Sequence, residues 1–583
     1  MFEALLQINP GFYFILAGLI AAVMPSNMVR KALLVFTPLF AGFMIFQIYG
    51  TQVVIGGKLA VGPQELVTLR IDRLSMVWGY IFCFAGILNG IYGLHEKCKI
   101  TDSSALIYMG AALCGVFAGD LLTLFIFWEL AAISSVMLVW KGGEHSFNAG
   151  VRYLAIHVLS GVLLLAGAVI YGRANGGDFS FGHIGLDAPG GKLLLIAMGI
   201  KCGFPLLHNW IQDAYPKASI TGTVILSAFT TKLALYALAR GFAGTDILIY
   251  IGAVMTVFPV FFAVIENDLR RVLSYSLNNQ LGFMVCGIGI GTPLALNGVA
   301  GHVVADIIFK GLLFMSMGAV MLRTGTAKAS ELGGLFRSMP YTTLFCLIGA
   351  GSIAAFPLLS AFVTKSMIIS AALYHAEHTH LIQDWVVLGM LLFASAGVME
   401  HSGIKVPYFT FFAHDNGKRV EEAPWNMLLA MGLASLFCIF LAFPWGGYQF
   451  LYSLLPYDVD YHPYTGDHVV FQLQLLFAAM LAFAFLKRVG AYPHERRAEI
   501  LDFDWTYRRL GKNIAVWSSA MWTRLGANIG VIRSRVLKTC GDRLYHMFSP
   551  AGSISQAAPN GFAAALTAGT FVATLLLIFI GTS

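Results

Sequence analysis

Long runs of apolar residues dominate this chain and limit the folds that are open to it. A helix that crosses a bilayer needs about 20 mostly apolar residues, and such runs recur from residue 10 to residue 581. They predict about sixteen membrane spans, with charged loops between them. The runs exceed the roughly 10 residues of a barrel strand. We therefore expect an all-α polytopic membrane protein.

Charge and cysteine usage exclude several other classes of protein. Charged residues make up 11% of the chain, against about 25% in soluble domains. The eight cysteines occur singly, without a CxxC pair or a His/Cys cluster. Neither a zinc site nor an iron–sulfur cluster is therefore expected, and no other cofactor is predicted.

Basic residues concentrate in alternate loops between the predicted spans. These loops contain Arg30, Lys31, Lys97, Lys99, Lys141, Lys217, Arg270, Arg271, Arg323, Lys328, Arg337, Lys418 and Arg419. By the positive-inside rule they face the cytoplasm, which leaves both termini on the outer side. This distribution fits a multi-pass protein of the bacterial inner membrane and explains the net charge of +7 without a nucleic-acid partner.

The predicted organisation has six parts. They are N-terminal spans (1–100), a first inverted repeat (101–245), a second inverted repeat (246–415), C-terminal spans (416–487), a basic amphipathic segment (488–560) and a final span (561–583). In the fifth part, apolar residues recur every three or four positions among many Arg and Lys residues. This pattern predicts a helix that lies on the cytoplasmic face of the membrane and contacts lipid.

Ionisable residues inside the predicted spans are the candidate functional residues. Each costs at least ~2.5 kcal/mol to insert, so it needs a partner or a function. They are Glu129 (span 120–140), Lys201 (192–213), Lys232 (219–241), His302, Asp306 and Lys310 (295–322), Lys365 (341–373), and Glu400 and Lys405 (383–412). The three at 302, 306 and 310 are spaced by four and share one helix face.

Two spans combine a buried lysine with a proline. Pro205 follows Lys201 in the seventh span, and Pro357 precedes Lys365 in the twelfth. Proline interrupts a helix, and such breaks occur in membranes beside cavities or in packed cores. Interrupted helices at corresponding positions of two halves are typical of inverted-repeat transporters. We therefore expect both spans to be broken helices.

Several motifs, in order, resemble the antiporter-like subunits shared by Mrp-type cation/proton antiporters and proton-pumping NADH–quinone oxidoreductases. They are IDRLS (71–75), FWEL (127–130), KCGFPLLHNWIQDA (201–214), NDLRRVLSYSLNNQLG (267–282), HVVADIIFKGLLF (302–314), ELGGLFRSMP (331–340) and FPLLSAFVTK (356–365). The resemblance extends over about residues 70–375.

The resemblance implies a role for each matching residue. Glu129 and Lys201 match the family's Glu–Lys pair, Lys232 the connecting lysine and Lys365 the terminal ionisable residue. His302 and Lys310 match positions of the connecting span, where Asp306 stands in place of a frequent His. These residues would form a proton relay in which an ionised Glu129 holds the proton of Lys201 until the two groups separate.

Structural roles remain open for some of these residues. Glu400 and Lys405 either join the relay or form a pair that holds two spans together. Asp306 either joins the relay or neutralises Lys310 one helical turn away. His157, His208 and His401 are interpreted as packing or hydrogen-bonding residues.

The leading hypothesis is a transporter subunit and not an enzyme: a D-type subunit of a monovalent cation/proton antiporter, with Na+ as the expected cation. Its partners would be the other antiporter subunits. The alternative is a proton-pumping membrane subunit of a respiratory NADH–quinone oxidoreductase or related hydrogenase complex. A non-transporting scaffold and a subunit coupled to bicarbonate uptake form a third class.

Overall fold

The computed structural model describes residues 7–48, 54–61, 64–493, 498, 500–549, 551–553 and 560–581. The chain divides into two compact units, Met1–Asp502 and Phe503–Ser583. The α-helices of the first unit are α1 Gly11–Val23, α2 Asn27–Ile48, α3 Arg73–Tyr92, α4 Lys99–Val116, α5 Leu121–Trp140, α6 Phe147–Ala174, α7 Gly191–Cys202, α8 Asn209–Ala214, α9 Ile220–Ala228, α10 Thr230–Gly241, α11 Ile247–Ile265, α12 Leu269–Ile290, α13 Pro293–Thr324, α14 Pro340–Ile353, α15 Ser360–Thr379, α16 Ile382–Val398, α17 Trp425–Phe440, α18 Gly447–Ser453 and α19 Gly466–Arg488.

Nine helical segments of the described residues are long and apolar enough to cross a membrane. They are Asn27–Ile48, Arg73–His95, Leu121–Trp140, Glu144–Ala174, Ile220–Gly241, Ile247–Ile265, Pro293–Thr324, Ile382–Phe412 and Gly466–Arg488. Shorter apolar helices lie at Gly11–Val23, Pro340–Ile353, Trp425–Phe440 and Ala564–Leu575. The predicted class, a polytopic helical membrane protein, is confirmed, whereas the total of about sixteen spans stays a prediction.

A β-hairpin precedes α3 and was not among the predicted elements. Strand β1 (Val54–Val61) pairs antiparallel with β2 (Gln64–Ile71). Asp72 then starts α3 through a reciprocal cap: its carboxylate accepts from the backbone N–H of Ser75, and its own N–H donates to Ser75 Oγ. Such a capping box satisfies two helix-terminal donors at once.

The helical structure is interrupted between α7 and α8 and again between α14 and α15. The first helix ends at Cys202, where Gly203 has a φ of 79°, and Leu206 has a φ of 71°. In the second connection, Ala355 and Leu358 have φ values of 61° and 72°. These are left-handed conformations that non-glycine residues rarely adopt, and Pro205 and Pro357 lie beside them.

A third interruption separates α9 from α10 and involves no proline. Phe229 has a φ of −107° and a ψ of −61°, which ends one helix and starts the other. The end of α9 thus leaves backbone carbonyls without helical partners. The predicted span 219–241 did not anticipate this break.

Helix α13 forms the centre of the first unit. Thr292 caps its first turn, Pro293 takes the first helical position, and Gly325 follows its last residue with a φ of 76°. These signals favour a helix that begins and ends at these points. The 18 most apolar consecutive residues of this helix are all buried. The helix packs against α9, α12, α14, α15 and α17.

Two helices of the second unit lie in the described part of the chain. They are α20 (Lys512–Phe548), preceded by a π-helical turn at Thr506–Gly511, and α21 (Asn560–Gly581). Both fall within the segments predicted at 488–560 and 561–583. Residues 494–497, 499, 550, 554–559, 582 and 583 of those segments lie outside the described part of the chain.

Candidate functional site

Glu129 lies on α5, and Lys201 on α7 reaches the same turn of α5 with its side chain. The Nζ atom of Lys201, which is buried, donates to the backbone carbonyl of Trp128, the residue before Glu129. The ammonium also lies 4.4 Å from the centre of the Trp128 ring. Glu129 Oε1 is buried and has no hydrogen-bond partner among the described residues. Its carboxylate fits because residue 161 is glycine; a Cβ there would overlap Oε1.

Lys232 and Asp306 form a fully buried ion pair between α10 and α13. Lys232 Nζ lies 2.7 Å from Asp306 Oδ2, and both side chains are 0% exposed. Lys232 also donates to the carbonyl of Ser227, at 2.9 Å. That carbonyl is available because α9 ends one residue later, at Ala228. The break at Phe229 therefore helps to hold the ammonium.

The opposite end of α10 is fixed by Asp72. Arg240 donates to both carboxylate oxygens of Asp72, at 2.7 Å each, and to the Tyr236 hydroxyl at 2.8 Å. Burial alone would raise the pKa of Asp72, but the Arg240 guanidinium and the Ser75 N–H hold it below its ordinary value. This anchoring fixes the helix that carries Lys232.

His302 connects three helices one turn away from Asp306. Its Nδ1 lies 2.9 Å from Thr364 Oγ1 on α15, and its Nε2 lies 3.0 Å from Gln280 Oε1 on α12. Both ring nitrogens therefore have partners, and the imidazole is fully buried. Gln280 in turn donates to Asn279 at 2.7 Å.

Lys310 binds a serine instead of the aspartate one turn away. Its Nζ donates to Ser276 Oγ on α12 at 2.8 Å, while Asp306 pairs with Lys232. The alternative in which Asp306 pairs directly with Lys310 is therefore not the arrangement found. The Asp306 carboxylate is directed towards α10, so it pairs with Lys232 on that helix and not with Lys310, its neighbour on α13.

Lys365 lies beside the connection that follows α14. Its Nζ lies 3.4 Å from the carbonyl of Ile353, the last residue of α14, and 4.7 Å from the centre of the Phe283 ring. The side chain is 1% exposed. The Lys365 ammonium is thus surrounded by a helix-terminal carbonyl and an aromatic ring. The surroundings of Lys201 are similar, since they consist of a backbone carbonyl and the Trp128 ring.

Glu400 and Lys405 lie on a π-helical segment, Met399–Lys405, that continues α16. Lys405 Nζ donates to the carbonyls of Ala263, Val264 and Glu266, at 3.0, 2.6 and 2.7 Å. These carbonyls end α11, so the lysine acts as a helix C-cap. Glu400 accepts a hydrogen bond from the Tyr492 hydroxyl.

Several polar residues in contact with the candidate charges were not predicted. Ser276 and Gln280 on α12 and Thr364 on α15 bind Lys310 and His302. The first two lie inside the motif at 267–282, where neutral polar residues in an apolar helix were the available signal. Their hydrogen bonds place these three residues in the same buried network as Lys310 and His302.

A polar cavity of about 280 Å³ lies beside the loop that follows α11. Its lining includes Gln212, Lys217, Glu266, Asp268 and Arg271. Both side-chain polar atoms of Gln212 are buried without a hydrogen-bond partner among the described residues. No group of three or more potential metal ligands occurs in the described part of the chain.

Comparison with known proteins gives the chain a family context. Residues 118–392 match the family described as NADH:quinone oxidoreductase/Mrp antiporter, transmembrane. The D component of the Na(+)/H(+) antiporter of Bacillus subtilis is 26% identical over 401 residues, which cover 64% of this chain and 78% of that protein. Hydrogenase-4 component B of Escherichia coli is 27% identical over 422 residues, with coverages of 64% and 62%.

Two solved structures have a similar fold. A chain of the Mrp complex from a Dietzia species gives a TM-score of 0.66 at 19% identity, over 81% of this chain and 99% of that chain. A chain of the membrane-bound sulfane sulfur reductase, an archaeal respiratory membrane complex, gives 0.68 at 19% identity, over 98% and 99%. The predicted resemblance is confirmed: the segment 118–392, which carries Glu129, Lys201, Lys232, Asp306 and Lys365, matches the NADH:quinone oxidoreductase/Mrp antiporter family.

Proposed function

We propose that this chain is a subunit of a monovalent cation/proton antiporter, with Na+ as the cation, and that protons pass along its buried charges. The buried ion pair between Lys232 and Asp306, at 2.7 Å, is the observation that carries this proposal. An isolated charge in a membrane interior is costly. Lys232 lies on α10 in the first predicted repeat and Asp306 on α13 in the second, so the pair would allow protons to pass from one repeat to the other.

The first half of the relay contains Glu129 and Lys201. When the Glu129 carboxylate approaches the Lys201 ammonium, its charge holds the lysine proton. When the two separate, the low-dielectric surroundings favour neutral lysine, and the proton moves towards Lys232. Within the described structure, Glu129 Oε1 is buried without a hydrogen-bond partner, while Lys201 donates to the Trp128 carbonyl. This geometry supports the separated arrangement as one state of the switch.

The second half continues on α13. Lys232, Asp306, His302 and Lys310 lie on facing sides of α10 and α13 and would pass protons to Lys365. The hydrogen bonds of His302 to α12 and α15 support this route, since they connect the row on α13 to the helix of Lys365. Glu400 is a further candidate for the relay, whereas the three carbonyl contacts of Lys405 support a capping role.

The proposed topology has about sixteen spans in two inverted repeats, 101–245 and 246–415, with broken helices at the seventh and twelfth spans. Two features support it: a buried lysine occurs beside each proline connection, and left-handed residues occur within both. The basic segment 488–560 would lie on the cytoplasmic face of a bacterial inner membrane. The other subunits of a transport complex are its expected protein partners, as they are for the named relatives.

A second candidate function is that of a proton-pumping membrane subunit in a respiratory or hydrogenase complex. The fold match to the archaeal respiratory complex covers 98% of this chain, against 81% for the Mrp chain. Hydrogenase-4 component B is also among the relatives. In such a complex, redox subunits would drive the same buried relay.

The experiment that separates these functions measures proton movement in everted vesicles from cells without their own antiporters. The chain is expressed with and without its partner subunits, and Na+ or K+ is added to energised vesicles. Antiport predicts proton release on addition of Na+. No cation response, together with proton uptake that requires electron transfer by partner subunits, would favour the second candidate.

A further inference from the structure

A hydrogen-bonded chain of three side chains leads away from Lys310 and is not part of the relay described above. Lys310 donates to Ser276 Oγ at 2.8 Å. Ser402 Oγ donates to the same Ser276 oxygen at 2.7 Å. His401 Nδ1 lies 2.9 Å from Ser402 Oγ. The sequence predicts His401 as a packing or hydrogen-bonding residue, and its hydrogen bond to Ser402 agrees with the second of these roles.

We propose that His401, Ser402 and Ser276 form a second proton path that reaches Lys310 from the side of the basic loops. The inference rests on the proposed function, because it assigns to the same relay the path that resupplies Lys310 with a proton in each transport cycle. It adds His401 as a relay residue and the two serines as hydroxyl carriers between α12 and the π-helical segment that continues α16.

The hydrogen-bond directions define the state of the imidazole. The single hydroxyl hydrogen of Ser402 is donated to Ser276, so Ser402 must accept from His401. His401 Nδ1 therefore carries a hydrogen, and Nε2 is the basic nitrogen of the neutral ring. This Nε2 is fully buried and has no hydrogen-bond partner among the described residues.

A proton can pass along these groups with every bond accounted for. Nε2 of His401 gains the incoming proton, and the Nδ1–H proton moves to Ser402 Oγ. Ser402 gives its own hydrogen to Ser276. A neutral Lys310 amine turns its lone pair towards Ser276, which reverses the hydrogen bond between them, and Ser276 then gives its hydrogen to that amine. The product is a Lys310 ammonium and a His401 ring protonated at Nε2; return of the ring to its first tautomer resets the path.

The position of His401 points to the membrane face from which these protons come. Lys405 lies one helical turn further along the π-helical segment, where it binds the carbonyls that end α11. The residues between α11 and α12 form a loop, and Arg270 and Arg271, two of the basic residues predicted to face the cytoplasm, lie in the first turn of α12. His401 therefore lies about one turn inside this face.

The local backbone is consistent with a functional position. The segment Met399–Lys405 is π-helical, a geometry that is rare and frequently found at functional sites. The extra residue in the turn changes which side chains face α12. Ser402 reaches Ser276 there, whereas Ser395, two turns earlier on α16, is buried without a hydrogen-bond partner in the described structure.

The test compares two variants of nearly equal shape, Ser402→Val and Ser402→Thr, in the assembled complex. Antiport is measured in everted vesicles and normalised to the amount of chain in the membrane. We expect Ser402→Val to lower the rate about 100-fold, as for a lost proton-transfer group. Ser402→Thr, which restores the hydroxyl, should be at least about tenfold faster than Ser402→Val. Ser395→Ala is the matched control and should leave the rate unchanged.

A double variant tests whether the serines act in one path. Ser276→Ala alone and Ser276→Ala with Ser402→Val should show the same rate, because either change interrupts the same chain. Wild-type rates in Ser402→Val, equal rates in the Val and Thr variants, or multiplied losses in the double variant would each overturn the proposal. Lys201→Ala shows whether a negative result concerns the second path alone or the whole proposed relay. If Lys201→Ala is inactive while Ser402→Val transports normally, only the second path is wrong. If Lys201→Ala is fully active, the proposed relay itself is wrong.

Discussion

Replacement of Asp306 by asparagine would leave the Lys232 ammonium without its counter-charge inside the membrane. Both side chains are 0% exposed and their charged atoms are 2.7 Å apart. Loss of one partner of such a pair costs about 3–5 kcal/mol, which is about 150- to 5,000-fold in the folding equilibrium. The remaining hydrogen bond from Lys232 to the Ser227 carbonyl offsets a small part of this cost. We therefore expect Asp306→Asn to be strongly destabilised and inactive.

A second change separates stability from transport. Replacement of both partners by apolar residues of similar volume is often neutral for stability, so Lys232→Met with Asp306→Leu should restore thermal stability in detergent. It should not restore antiport, because both proton-carrying groups are gone. Removal of the exposed pair Lys58–Glu65, whose side chains are 57% and 58% exposed, is the control and should change stability by at most about 1 kcal/mol.

The assay measures unfolding temperature in detergent and sodium-driven proton release in vesicles from the same preparation. The expected pattern is low stability without transport in Asp306→Asn, and recovered stability without transport in the double variant. A double variant that transports at the wild-type rate would refute the reasoning, because the ion pair would then serve only to hold α10 against α13.

Three further changes follow from particular contacts. Gly161→Ala should displace the Glu129 carboxylate and lower the antiport rate about tenfold or more with little loss of stability. Gly389→Ala, whose added Cβ meets no atom, is the control and should leave the rate unchanged. Equal rates in the two variants would contradict this role of Gly161. Lys405→Met should remove the cap of α11 and destabilise the protein by about 1.5–3 kcal/mol, and an unchanged unfolding temperature would contradict the capping role. Because an arginine holds the pKa of Asp72 below its ordinary value, this carboxylate should stabilise the fold above about pH 4 and lose that effect as the pH falls further. The stability difference between wild type and Asp72→Asn should then shrink at low pH, and a difference that grows would contradict the sign.

Much of the fold class and the candidate charges could be predicted from the sequence. Runs of apolar residues predict membrane helices because lipid leaves few other ways to satisfy the backbone. A charge inside such a run is conspicuous because of its insertion cost. The sequence therefore predicts Glu129, Lys201, Lys232 and Lys365 as candidate residues, because each is a charged residue within one apolar run.

The partners of these charges could not be predicted, because they depend on contacts between helices distant in sequence. Spacing suggested that Asp306 faces Lys310, but the packing of α10 against the same region brings Lys232 closer. The break at Phe229 carries no proline or glycine at that residue to indicate it. Ser276 and Ser402 are separated by 126 positions, and only the packing of α12 against the π-helical segment joins them.

The measurement that tests the central claim most directly is sodium-driven proton release in vesicles that contain the assembled complex with Lys201→Ala. The lysine is buried against α5, and its loss removes the first ammonium of the relay without removing a partner of the Lys232–Asp306 pair. The account predicts normal amounts of the complex in the membrane and no sodium-driven proton release. Release at the wild-type rate would contradict it.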